Sequence, residues 1–415
     1  MNNHALQSRG AGFTLVEILV GMAVAMIGMV MMFQAMSVWE ARKRTTASGS
    51  DIQVTGSIGM FTLERDLKLA GYGFGNAAAM GCTVNAYDST RPAPSTFSFR
   101  LAPVLIRNGD GTVGSTLPDT VAVLYGSAPT MSSSQTYSSI TGAGIRMNTR
   151  TGLRSGDLLI AADGGNALCG LFEAVGNANP DGLSIDFGSV AYTNYVNNAN
   201  VSASVAAAAL TPAQVAALQE KFLNNSGTAR FHDGITIHGL GAVGAVFNMG
   251  TSPRLNTYQI TNRRFLTFTN DLANQVTPTE VAEGIVDLQA EYGRDTNGDG
   301  SVETWTAVTP ANTAEWGQLR AIRIGLLARS QQFEKNNIAS NGSETRVTRN
   351  APTWAGGPFT LTNVDGTVDS DPLGGGTSLP GANPCTPNFW RCYRYRVYET
   401  VVPLRNVVWG LPYDL

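Results

Sequence analysis

Charge is scarce in this 415-residue chain: Lys+Arg 28 and Asp+Glu 31 make 14% charged residues and a formal net charge of −3, where about 25% charged is ordinary. Lysine is rarer still, confined to Lys43, Lys68, Lys221 and Lys335. Without a basic excess nothing displaces counterions from a phosphate backbone, so no nucleic-acid partner is expected. Histidine is limited to three residues, and the spacing of His232 and His238 fits no zinc pattern. Neither a G-x-S-x-G elbow nor a G-x-x-x-x-G-K-[ST] loop occurs. Gly239–Gly244 satisfies G-x-G-x-x-G, but Ala245–Gly250 is too short and glycine-bounded to supply the helix a dinucleotide phosphate requires. The absences together argue against an enzyme. What is plentiful is different: 43% apolar residues, ample for a core, and 46 glycines in a Ser/Thr/Asn-rich texture that suits a β-rich protein outside the cytosol.

The amino terminus carries the sharpest pattern. Residues 1–12, MNNHALQSRGAG, are polar, with Arg9 as the one fixed positive side chain. From Phe13 to Trp39 run 27 residues in which Glu17 is the single charge. As a helix they span about 40 Å, enough to cross a hydrocarbon core of ~30 Å. A secretory signal would have a shorter apolar region and a small-residue cleavage site, and no convincing one follows. Glu17 is the anomaly, because a carboxylate within a spanning helix costs on the order of 2.5–3.5 kcal/mol and is functional by default. The plain alternative is a charge tolerated one turn inside the helix end. Cleavage between Gly12 and Phe13 would set a new α-amine four residues before Glu17, where the two charges neutralise each other in a low dielectric. Arg42, Lys43 and Arg44 follow the span, so the positive-inside rule alone favours the opposite orientation from an exported carboxyl-terminal domain.

Beyond the span, Met60, Leu63, Leu67 and Ala70 recur at helical spacing and predict a stripe packed on a sheet. Glu64 and Lys68 form an i,i+4 pair beside it. Gly49, Gly56 and Gly59 predict a bend or melted turn, and Gly71-Tyr72-Gly73-Phe74-Gly75 a stop.

Gly12-Phe13-Thr14-Leu15-Val16-Glu17 resembles the prepilin peptidase site of type IV pilins and of type II secretion pseudopilins. The resemblance implies Gly12 as the cleavage residue, Phe13 as the N-methylated terminus and Glu17 as the assembly residue that meets a neighbouring subunit's amine. Leu63-Glu64-Arg65-Asp66-Leu67, followed by Ala70-Gly71-Tyr72, is similar to the helix end of the PilW family of minor pilins. The strand Arg320–Arg329 and the closing Val402-Pro403-Leu404-Arg405-Asn406 resemble the same group. The resemblance implies a minor type IV pilin of an initiating or tip complex, supporting pilus assembly, adhesion or twitching. Its partners would be other minor pilins, the major pilin, prepilin peptidase, the inner-membrane assembly platform and a large tip adhesin. Its place would be the inner membrane as a single-pass precursor, then the periplasm and surface fibre. A J-like minor pseudopilin of a type II secretion system and a membrane-anchored extracytoplasmic binding protein are the alternatives.

The expected fold is α+β, a long apolar amino-terminal helix packed on a large antiparallel β-sheet domain with extended loops. The divisions are a leader at 1–12, the membrane and assembly helix at 13–39, its continuation at 40–75, and a β-rich domain at 76–415. Strands are expected at Phe97–Ile106, Thr120–Tyr125, Asp157–Ala162, Gly170–Val175, Leu183–Phe187, Thr257–Phe268, Ala282–Tyr292 and Arg391–Val402. One helix is expected at Thr211–Asn224, and surface loops at 126–145, 193–210 and 336–384. The aromatic ending, from Trp390 to Tyr413, reads as strand core and edge.

Four cysteines are even in number, as suits an oxidising compartment. Cys385 and Cys392 flank a turn and should close a small loop, leaving Cys82 and Cys169 to pair; other connectivities stay open. No cofactor is required, but Asp295, Asn297, Asp299, Ser301 and Glu303 match the first part of an EF-hand-type calcium loop, with Gly300 at the turn position. Thr306 stands where a bidentate glutamate is expected. An Asx/Gly turn joining two strands would select the same residues without an ion.

Overall fold

The computed structural model describes residues 14–75, 79–92, 96–111, 117–129, 134–141, 144–147, 156–163, 168–174, 230–232, 244–334, 350–367 and 387–408, with short stretches at 153, 184–186, 193–194, 201–202, 337–338, 344–345 and 347–348. Gly12, Phe13, the helix expected at 211–224 and Cys385 lie outside the described residues.

One helix runs unbroken from Leu15 to Leu69. The melted turn expected at Gly49, Gly56 and Gly59 does not occur, because two of these glycines are sites of close approach. A Cβ on Gly56 would overlap the Tyr398 ring, and one on Gly59 would lie 3.2 Å from Leu266. The helix ends where expected: Ala70 leaves helical geometry, and Gly71 and Gly73 take positive φ of 81° and 95°, which glycine alone adopts without strain.

Three principal sheets follow. A five-stranded sheet contains, in spatial order, Thr279–Glu283, Phe265–Asn270, Arg254–Thr261, Thr120–Tyr125 and Val104–Arg107. A four-stranded sheet contains Thr304–Thr306, Ile285–Arg294, Leu319–Arg329 and Tyr395–Pro403. The third has nine described strands. Pairing is antiparallel in the first two, whereas the third includes a parallel pair between Thr83–Asp88 and Leu168–Glu173. Strand existence follows expectation more closely than strand bounds. The run expected at 97–106 is two strands separated at 101–103, and 282–292 is divided at Gly284, whose φ is 87°. The run at 257–268 is a hairpin turning at Asn262 and Arg263, both with positive φ. The closing strand starts at Tyr395, after a short 3-10 turn at Trp390–Cys392. Within the loop expected at 126–145, Gln135–Thr141 is a strand paired with Gly144–Met147.

Alternation along Thr120–Tyr125 shows how the layers form, since successive strand side chains point to opposite faces. Val121, Val123 and Tyr125 join the core under the helix, with Leu63, Leu67, Tyr258, Ile322, Ile324 and Val402. Ala122 and Leu124 face away, into a second core shared with the nine-stranded sheet. Leu63 and Leu67 are fully buried, each contributing roughly 1.5–3 kcal/mol of transfer free energy.

Candidate assembly site

The helix has two halves of opposite character. Leu15–Ser37 is long and apolar enough to cross a membrane, and none of it is covered by the rest of the chain. Leu15 and Phe33 are 77% and 67% exposed. At its top, Thr14 and Glu17 form a capping box: the Thr14 amide and hydroxyl each donate to Glu17 Oε2 at 2.9 Å, and the Glu17 amide donates to Thr14 Oγ1 at 3.3 Å. Thr14-x-x-Glu17 has the capping-box spacing, a local signal that weighing Glu17 against lipid alone leaves out. The two side chains thus satisfy one orphan backbone donor each: Glu17 takes the Thr14 amide and Thr14 the Glu17 amide.

The second half is locked into the β domain at three places, working down the helix. Near residue 52 the Tyr398 hydroxyl donates to the Ile52 carbonyl at 3.0 Å, its ring lying over Gly56. Near the end, the fully buried Asp66 accepts from Tyr258 at 2.6 Å, Asn256 at 2.7 Å and Tyr125 at 3.3 Å. Burial, reinforced by the adjacent Asp66, pushes the Tyr125 phenol up to about 12 and the Tyr258 phenol higher still, so both stay protonated and donate. At the end itself, Asn406 Nδ2 reaches the carbonyls of Leu69 and Ala70, each at 3.2 Å. Carbonyls in this position have no partner within their own helix. A Cβ on Gly75 would overlap the Asn406 carbonyl oxygen. The Ala70–Gly75 and Val402–Asn406 motifs, remote in sequence, are therefore two sides of one contact. Glu64 and Lys68 pair at 2.7 Å, as their spacing predicts.

The acidic loop joins Ile285–Arg294 to Thr304–Thr306. Asp295, Asp299 and Glu303 bring carboxylate oxygens within 4.8 Å of one another. Asp295 also accepts from the amides of Gly298 and Gly300 at 2.6 and 2.9 Å and from Arg320 Nη2 at 2.8 Å. Burial acts to raise the Asp295 carboxyl, but these amides and Arg320 hold it below the usual carboxylate range. Asn297 and Asp299 accept from the amides of Asp299 and Ser301, and Glu303 accepts from the Thr296 amide. These hydrogen bonds are those of an Asx/Gly turn. Cys82 and Cys169 are disulfide-bonded across 87 residues, tying the segment after the helix to the nine-stranded sheet. Cys392 is also disulfide-bonded.

Residues 248–406 match the family model described as type IV pilus-assembly protein W, and residues 7–33 match the prokaryotic N-terminal methylation motif. The carboxyl-terminal part of this chain is a PilW-family region. It contains Asn256, Tyr258, Tyr398 and Asn406, which with Tyr125 grip the helix. Gly12, Phe13 and Glu17 fall within the methylation-motif match. Among solved structures, a type IV-like pilin from Thermus thermophilus is similar at 17% identity over 37% of this chain and 66% of its own, just under two thirds, with a TM-score of 0.20. No curated protein matches the chain.

Proposed function

We propose that this PilW-family protein is a minor type IV pilin, cleaved after Gly12, methylated at Phe13 and built into the initiating or tip complex of a pilus. The observation that carries the reading is one unbroken helix whose span Leu15–Ser37 is uncovered and, Glu17 apart, uncharged, while its second half is held against a large β domain. An uncovered apolar rod is tolerable only in lipid or among other such rods. The helix therefore serves as a membrane anchor first and a packing element afterwards. Prepilin peptidase, the assembly platform, the other pilins and a tip adhesin are the partners this course requires.

Glu17 has a role at each stage. In the precursor it caps its own helix; after processing, a neighbouring subunit's α-amine competes for the same carboxylate. An ion pair inside the bundle offsets part of the cost of burying either charge. Glutamine at the third position of a capping box replaces glutamate as a cap but not as an anion. Glu17→Gln is therefore expected to leave a peptide beginning at Phe13 in membranes while the variant is lost from sheared surface fibres, both read by mass spectrometry. Equal amounts of variant and wild type in the fibres would remove the ion-pair role. An intact Met1 terminus in the wild type would remove the pilin reading itself. The loop at 295–303 serves as a turn in which Arg320 already bonds Asp295 Oδ2.

A further inference from the structure

One sheet edge in this molecule is unlike the others. Among the described residues, the strands at the other edges of the three principal sheets are no longer than five residues. The closing strand Tyr395–Pro403 is nine residues long and pairs one for one with residues 321–329, with no bulge to bend it. Edge strands are ordinarily kept short or bulged, because their free amides and carbonyls are a template for further pairing. The Leu404 amide donates to the Arg320 carbonyl at 2.8 Å, and the Ser330 amide to the Arg394 carbonyl at 2.9 Å. Alternate residues of an antiparallel strand address opposite edges, so the even-numbered residues turn to Leu319–Arg329. Tyr395, Val397, Glu399 and Val401 then point their amides and carbonyls to the open side, and none of these groups has a hydrogen-bond partner among the described residues. The hairpin of Thr353–Trp354 with Gly357–Pro358 does not close it. Trp354 lies on the face of the sheet over Gly325, one strand inward, and Val401 stays 55% exposed.

What fills such an edge is decided by where the helix lies. Tyr398 meets the helix at Ile52, and Asn406 meets it at Leu69 and Ala70, so the helix runs beside this strand in the same direction. Two copies paired antiparallel through this edge would be related by a half-turn about the sheet normal. Their Leu15–Ser37 spans would then point opposite ways, which one membrane or one helical bundle does not allow. A two-fold pairing of parallel copies would set like groups opposite each other, amide to amide. The other described edges of the chain are too short to match nine residues. We propose that Tyr395–Pro403 receives an extended strand from a different subunit of the same fibre, through main-chain hydrogen bonds to Val397, Glu399 and Val401. The incoming strand carries apolar residues opposite Val397 and Val401 and a basic one opposite Glu399. The choice of partner rests on the pilin reading.

The test uses the full-length chain in cells that assemble the fibre, with a photo-cross-linking benzoyl-phenylalanine in place of Val401 and the joined peptides read by mass spectrometry. The expected product joins position 401 to one extended segment of a different fibre subunit. Val397→Pro removes an amide on the open side alone, a change that an edge strand tolerates. It should cut the cross-link at least about tenfold while leaving the unfolding temperature unchanged. Thr400→Pro removes an amide turned to Ile324 and should lower the unfolding temperature, which checks the assignment of the two sides. Glu399→Pro serves if Val397→Pro does not fold. A cross-link undiminished by proline, one reaching only a second copy or the chain's own residues, or none at all would overturn the proposal. Any of these with a peptide starting at Phe13 in the fibres sinks the edge alone, whereas an intact Met1 terminus sinks the pilin reading beneath it.

Discussion

Asp66 is a carboxylate with no exposure, met by two phenols and an amide. Apart from the adjacent Arg65, at 3.4 Å, its partners stand 59 to 192 residues away in the chain, which is why a local reading of the helix end finds Glu64–Lys68 and passes over Asp66. Charge spacing reveals only neighbours on the same helix; a buried acid is revealed by the far strands that approach it. Asp66→Ala would leave the Tyr258 hydroxyl and the Asn256 amide buried without an acceptor. The expected loss is on the order of 3 kcal/mol, read as a lower denaturant midpoint for the full-length protein in micelles. Asp66→Asn keeps one acceptor oxygen and should lie between the two. An alanine variant as stable as wild type would show that the network contributes nothing. Glu17 is legible as an anomaly in an apolar run. Its capping partner Thr14 is equally legible from spacing, but only when the residue is weighed as a helix start as well as a charge in lipid.

Among the elements, the long helix, its buried stripe and its stop can be anticipated because periodicity and glycine position are local properties. Strand divisions are not always so. The turn at Asn262 and Arg263 uses two non-glycine residues at positive φ, a conformation held by the hairpin around it and not announced by residue type. The glycines inside the helix mislead for a related reason. Propensity treats them alike, at about 1 kcal/mol each relative to alanine, while their surroundings differ. A Cβ added to Gly49 would meet nothing within 4 Å, whereas one on Gly56 would run into the Tyr398 ring. The same substitution should therefore have opposite signs. Gly49→Ala is expected to stabilise the helix locally by roughly 1 kcal/mol, seen as slower amide exchange around residue 49. Gly56→Ala should displace Tyr398, cost its hydrogen bond to Ile52, and lower the unfolding temperature. A neutral or stabilising Gly56→Ala would mean that Tyr398 moves aside without penalty.

At the scale of the whole molecule, the three sheets and the helix carry buried carboxylates of two kinds. Burial pushes Asp119 and Asp287 each up to about 7, Asp119 accepting from the Ala290 amide at 2.9 Å. A carboxyl raised in the folded state contributes stability that is present below its unfolded value, near 3.8, and lost as pH rises through about 7. Asp88 behaves oppositely. Burial acts to raise it, but Arg230, at 2.8 Å, and Thr90 hold it low, so its contribution is lost as pH falls below the ordinary carboxylate range. Unfolding temperature should accordingly peak near the ordinary carboxylate value, falling below it as Asp88 is protonated and falling again from there up to about pH 7 as Asp119 and Asp287 resist ionisation. Asp119→Asn with Asp287→Asn should flatten the alkaline side alone, in thermal scans across pH; an unchanged alkaline slope would place its origin elsewhere.

The Asn406 contact has a bearing on time as well as on energy. A chain emerges amino terminus first, so Leu15–Leu69 exists as a finished segment long before Asn406 has been made. Until that late residue is made, the carbonyls of Leu69 and Ala70 lack the Asn406 side-chain amide, and Asp66, Gly56 and the stripe around Leu63 wait on strands that also arrive late. The order of synthesis and the order of docking run in opposite directions. The helix end thus stays uncapped by Asn406 until synthesis is nearly complete, so an unfinished chain differs there from a finished one.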